Sequence, residues 1–153
     1  MHIPRTALAL TATLLAAGTA LADNIAMPAK PSAAYTQECA SCHTAYAPGL
    51  LPASSWKRIM ATLDKHYGTD ASLDDKAVAE ISGWLAANAG TYKRAAATPD
   101  DRITSADWFI REHREVAADV WKRASVGSKA NCSACHTGAA QGNFSERNLR
   151  IPK

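Results

Sequence analysis

Two five-residue stretches, Cys39-Ala40-Ser41-Cys42-His43 and Cys132-Ser133-Ala134-Cys135-His136, share the pattern C-x-x-C-H and together use all four cysteines of the chain. Two thiols at this spacing lie about one helical turn apart, with an imidazole directly after the second. That order suits a porphyrin. Both sulfurs add to its vinyl groups, and the adjacent histidine swings beneath the ring to ligate iron, which is the c-type haem attachment pattern. Other uses of C-x-x-C fit less well. A zinc site of two such knuckles needs a much shorter gap than that from Cys42 to Cys132. A thioredoxin-like redox motif needs one C-x-x-C in a βαβ pattern, which is absent. Two disulfides would suit an exported chain but leave both histidines unexplained. Two covalently bound haem c groups are therefore expected, one on Cys39, Cys42 and His43 and one on Cys132, Cys135 and His136.

Each iron has a second axial position. Beyond His43 and His136, the chain after its first segment holds two more histidines, His66 and His113. Each falls within an apolar helical spacing, where an unpaired buried imidazole is costly and iron would satisfy it. His43, His66, His113 and His136 are thus the expected iron ligands. His66 follows His43 at the interval by which His113 precedes His136, so each half holds one motif and one spare histidine. A crossed pairing stays open. Met60 is the rival for the first iron, although a buried methionine more often packs, and Met27 lies in irregular sequence. Two imidazoles hold a haem at lower potential than imidazole plus methionine. An iron filled on both sides offers substrate no site, so electron transfer is expected and an enzyme is not. The alternative is a dihaem peroxidase, or a gas or redox sensor with one releasable axial histidine. Arg111, Glu112 and Arg114 around His113 would then be its distal polar groups, although such a charge run is usually a solvated helix face. A subunit of a larger respiratory complex is a third reading.

These residues need elements to position them. The spacing predicts a helix over Ala33–Tyr46 that carries the first motif and ends before Pro48-Gly49. A second runs from a Ser54 or Ser55 cap to about Tyr67, stopped by Gly68, with Trp56, Ile59, Met60, Leu63 and Tyr67 on its apolar face. A third starts at a Ser72 cap, buries Val78, Ile81, Trp84 and Leu85, and fades at Asn88-Ala89-Gly90. Residues 91–104 read as a link. A fourth helix runs from about Ser105 past His113, with Phe109, His113, Val116 and Val120 on one side. A short helix over Lys129–His136 bears the second motif, and the tail Thr137–Lys153 wraps the surface. No strand alternation of useful length occurs. The expected fold is mostly α, in two small haem-binding lobes, 23–94 and 95–153.

His2 and Arg5 precede an apolar run, Ala7–Ala17, and Ala20-Leu21-Ala22 gives a small-x-small cleavage pattern, so residues 1–22 read as a signal peptide cleaved after Ala22. An uncleaved anchor is the alternative. The formal charge of +3 is slight and includes Arg5 of that segment, and no basic run of nucleic-acid type occurs. Lys57, Arg58, Lys65, Lys122, Arg123 and Lys129 are candidate cations for transient docking on an acidic partner.

The strings "CASCHTAYAPGLLPASSWKRIMATLDKHYGTDASLD", "WFIREHREV" and "NCSACHTGAAQGNF" resemble the bacterial dihaem cytochrome c family that donates electrons to a small, high-spin, oxygen-binding c-type cytochrome. The resemblance covers most of the chain after residue 22. It implies bis-histidine ligation at both haems, with His66 opposite His43 and His113 opposite His136. It implies a first lobe like a class I cytochrome c, with His66 in place of the usual methionine. It also implies a periplasmic setting and a membrane b-type cytochrome as electron source.

Overall fold

The computed structural model describes residues 27–153, so the expected signal peptide lies outside the described residues. Helices are the regular elements, as the sequence predicts, and among the described residues no strand forms. Four α-helices are interspersed with short 3₁₀ turns: α1 (Ala33–Cys39), α2 (Ala53–Met60), α3 (Asp75–Ala87) and α4 (Asp107–Glu112).

Local hydrogen bonds decide where these helices begin and end. Ser32 caps α1 by accepting the Tyr35 amide at 3.1 Å. The helix stops at Cys39 instead of reaching Tyr46, and the Ser41 hydroxyl donates to the Glu38 carbonyl at 2.7 Å, taking up a helix-end acceptor. Pro52, not a serine, precedes α2, and Ser55 is buried inside that helix. α2 ends at Met60, well before Tyr67. The Thr62 hydroxyl donates to the Arg58 carbonyl at 3.0 Å, and a separate 3₁₀ turn, Leu63–Lys65, delivers His66. Asp74, not Ser72, caps α3, accepting the Ala77 amide at 2.9 Å. Ser72 is held instead by Asp70, through its amide at 2.9 Å and its hydroxyl at 2.6 Å. A carboxylate is the better cap because it also meets the positive end of the helix dipole.

α4 stops at Glu112, and His113 is its C-cap. Here Arg111 pairs with Glu112 and Arg114 with Glu115, neighbours along the chain that give a helix no i,i+4 support. Val120 is buried nonetheless, in a separate 3₁₀ turn, Val120–Lys122. The second motif sits on a 3₁₀ turn, Cys132–Ala134, rather than a helix over Lys129–His136.

α2 packs against α3, and α1 packs against α3. Tyr35, Leu51, Trp56, Met60, Ile81 and Leu85 form the core between them, with the Tyr35 and Trp84 rings 4.8 Å apart. Trp56 Nε1 donates to the Pro48 carbonyl at 2.7 Å. Gly90 lets two segments meet: its amide donates to Leu51 at 2.9 Å, and a Cβ there would strike Ala95 and the Gly49 carbonyl. The expected link is therefore no free tether. Ala95 is buried, Tyr92 donates to the Gly49 carbonyl at 2.9 Å, and Asp101 pairs with Arg58 of α2. The tail does more than wrap the surface. Arg150 returns to the second motif, its amide donating to Cys135 at 2.8 Å, and Leu149 bridges to His136. No helix of the described residues is long and apolar enough to cross a membrane.

Candidate functional site

The four expected ligand histidines meet in two pairs. His43 leaves the turn after Cys42, and His66 faces it from the Leu63–Lys65 turn with ring centroids 6.2 Å apart. His113 leaves the end of α4 and faces His136 with centroids 6.1 Å apart. The structure thus brings together the uncrossed pairs. An imidazole nitrogen lies about 2.0 Å from a bound transition-metal ion and roughly 1.1 Å from its own ring centre, so two rings on one ion stand about 6 Å apart. Both observed spacings suit a single ion held between each pair.

Hydrogen bonding prepares the nitrogens. His43 Nδ1–H donates to the Thr44 carbonyl at 2.7 Å, and His113 Nδ1–H donates to the Phe109 carbonyl at 2.9 Å. Each bond leaves an Nε2 lone pair free for a metal. Burial first, then the facing His43 and Arg102, hold His66 below the ordinary imidazole value. Burial first, then His113, does the same for His136. Both therefore stay neutral at neutral pH.

Aromatic rings line each site. Tyr46 stacks on His43 at 4.8 Å and 21°, and Tyr67 tilts against His66 at 4.9 Å. Phe109 stacks on His113 at 4.0 Å, Trp121 lies 5.8 Å from it, and Phe144 meets His136 edge-on at 5.5 Å. Phe109 was legible from its i,i+4 relation to His113. Tyr46 and Phe144 carried no such signal.

His66 sits on a constrained turn. Tyr67 has φ +51° and Gly68 φ +97°, and the Thr69 amide donates to the His66 carbonyl at 3.0 Å. The 98–105 segment clamps this turn. Arg102 lies over the Tyr67 ring at 4.0 Å, and the Tyr67 hydroxyl donates to the Asp100 carbonyl at 3.2 Å.

The four thiols are not joined to one another. Burial, with Glu38 adding, pushes Cys39 up to about 11; burial, with Cys135 adding, pushes Cys132 up to about 11. Such thiols lack the lowered pKa of catalytic redox cysteines. Among the described residues no group of three or more His, Cys, Asp or Glu gathers around one point. An ion between either histidine pair would draw its remaining ligands from a prosthetic ring, and C-x-x-C beside one histidine of each pair can anchor that ring. Met60 is buried in the core, and Met27 packs against that core.

The candidate docking cations are not all free. Arg58 grips Asp101 with two bonds, of 2.7 and 2.6 Å, and Arg123 donates to the Pro152 carbonyl at 2.6 Å. Arg111 and Arg114 pair with Glu112 and Glu115 at 3.1 and 3.6 Å on the exposed surface.

The family model for dihaem cytochrome c matches residues 35–144, a span that includes both C-x-x-C-H motifs, His66 and His113. Among solved structures, a diheme cytochrome type c from Shewanella baltica OS155 is 41% identical, with a TM-score of 0.68, covering 78% of this chain and 92% of that one. A structure of DHC purified from Rhodobacter sphaeroides is 41% identical with a TM-score of 0.66, covering 75% of this chain and 98% of that one. A diheme cytochrome c structure from the same organism is 38% identical, with a TM-score of 0.64 over 78% and 99% of the two chains. No curated protein matches at a significant level.

Proposed function

The chain belongs to the dihaem cytochrome c family, a family of electron-transfer proteins with two covalently bound haem c groups, and from that membership we propose that it carries single electrons between redox proteins with both irons held by two histidines. His43 and His66 would hold the first iron and His113 and His136 the second. Cys39 and Cys42, and Cys132 and Cys135, would bond the rings covalently. The observation that carries this reading is the pair of centroid spacings, 6.2 and 6.1 Å. Each haem, when bound, takes up and returns one electron.

The chain's own part is to hold the ligands and tune their surroundings. Backbone carbonyls of Thr44 and Phe109 orient His43 and His113 and raise their basicity. With two histidines holding each iron, neither site would offer a place for substrate, which supports a carrier rather than a peroxidase or a sensor with a releasable histidine. The proposed setting is the periplasm, after loss of residues 1–22, with haem lobes over 23–94 and 95–153. A membrane b-type cytochrome is the proposed donor and a small high-spin c-type cytochrome the acceptor, each docking transiently.

The test is spectroscopic. The chain, matured with haem attached, should show two haems, wholly low-spin ferric spectra and slow carbon monoxide binding to the ferrous form. A high-spin fraction or rapid carbon monoxide binding would refute bis-histidine ligation.

A further inference from the structure

The two haem-attachment turns touch each other. Thr44, next to His43, and Ser133, inside the second motif, have hydroxyl oxygens 2.6 Å apart. Tyr46 lays its ring on His43 and donates its phenol to the Ala130 carbonyl at 2.6 Å. That carbonyl also accepts the Cys132 amide at 3.0 Å, and the Cys132 carbonyl accepts the His136 amide at 2.8 Å. A carbonyl has two lone pairs, so the phenol reinforces the second turn without displacing the turn's own bond. Tyr46 is fixed from behind as well, because Tyr35, in the core, donates to its carbonyl at 2.7 Å. The two direct contacts join residues 89 and 84 positions apart.

We infer that Tyr46, backed by the Thr44–Ser133 pair, is a positioning residue that locks the two haem-attachment turns into one frame and so fixes one haem site relative to the other. This rests on the two-haem carrier reading, since exchange between two sites depends on their separation staying constant. A tyrosine that only filled space beside His43 could be replaced by phenylalanine without consequence for the second motif.

Tyr46→Phe in the matured full chain makes that comparison, keeping the ring and removing the donor. Amide hydrogen exchange in the ferrous protein should show protection at Cys132 and His136 falling about fivefold to tenfold, with Ile81 and Leu85 unchanged. Adding Ser133→Ala should lower it further. In the fully oxidised protein, magnetic coupling between the two irons, read by electron paramagnetic resonance, should change while haem content stays at two. If Tyr46→Phe fails to accumulate, the Thr44→Val/Ser133→Ala double variant reads the other contact of the same seam, and protection at Cys132 and His136 should fall in it as well. Wild-type protection at both amides together with unchanged coupling would overturn the inference. A high-spin wild-type spectrum would overturn bis-histidine ligation instead, and the exchange comparison, which does not depend on the axial ligands, would still decide the seam.

Discussion

His66 and His113 stand at almost the same distance from their partners but are held by different means. His113 is fixed by a hydrogen bond and a stack from Phe109, both within one helical turn. His66 depends on a neighbour, Tyr67, in the left-handed region, where a bulky residue costs about 1–2 kcal/mol. Replacing either by alanine should turn one haem of the two high-spin, so each ferric spectrum should lose half of its low-spin signal. Titration with carbon monoxide should then find one fast-binding haem per chain. Acid should act on the same groups. His66 and His136 lie below their ordinary value of 6.5, so as the pH falls through that value the unfolded chain takes up protons that the folded chain refuses. The stability they contribute is complete above that pH and is lost below it. In the matured protein an imidazole on iron would likewise refuse the proton that a released one takes up, so the denaturant midpoint should be lower at about pH 5 than at about pH 7.5, and an equal midpoint would contradict the assignment.

At the scale of elements, the turn that delivers His66 is braced from a segment more than thirty positions away. Arg102 covers Tyr67, Asp100 accepts its hydroxyl, and Asp101 is tied to α2 by Arg58. An exposed cation–π contact contributes about 0.5–1 kcal/mol, so Arg102→Ala should speed carbon monoxide binding at the first haem about twofold to fivefold. Stopped-flow mixing reads that rate, and an unchanged rate would show that the turn holds itself. The cap of α3 is a simpler case. Asp74→Ala removes the acceptor of the Ala77 amide and should cost about 1 kcal/mol, read as a lower unfolding midpoint. What was legible in the sequence follows the same physics. α2 and α3 were visible because their buried residues recur at helical spacing. Their ends were not, because α2 begins after Pro52 with no side-chain cap and Asp74, rather than Ser72, accepts the first-turn amide of α3. The motif histidines stood out by the C-x-x-C-H spacing, and the two spare histidines by their number and their apolar spacing. Tyr46 and Phe144 were not, since neither belongs to a periodic face and the second-motif contact of Tyr46 crosses 84 positions.

Across the whole molecule the apolar core is unevenly spread. Tyr35, Leu51, Trp56, Met60, Ile81 and Leu85 cluster between α1, α2 and α3. Beyond residue 105 the buried hydrophobic side chains are Ala106, Phe109, Val120, Val126 and Ala139, spread over one short helix and a series of turns. The His136 Nδ1 nitrogen is buried there without a partner among the described residues. A segment of so few residues buries too little surface to offset its chain entropy, and a covalent haem then supplies folding energy. The apoprotein, with all four cysteines replaced by alanine, should show no cooperative thermal transition in its far-ultraviolet dichroism. The two haems should not contribute equally. Cys132→Ala/Cys135→Ala should leave exchange protection at Ile81 and Leu85 while that beyond residue 105 collapses. Cys39→Ala/Cys42→Ala should weaken both halves, because Tyr46 and Thr44 hold the second motif from the first. Equal losses in the two variants would mean that the halves fold as one unit whichever haem is missing, and the asymmetry of the core would then have no thermodynamic weight.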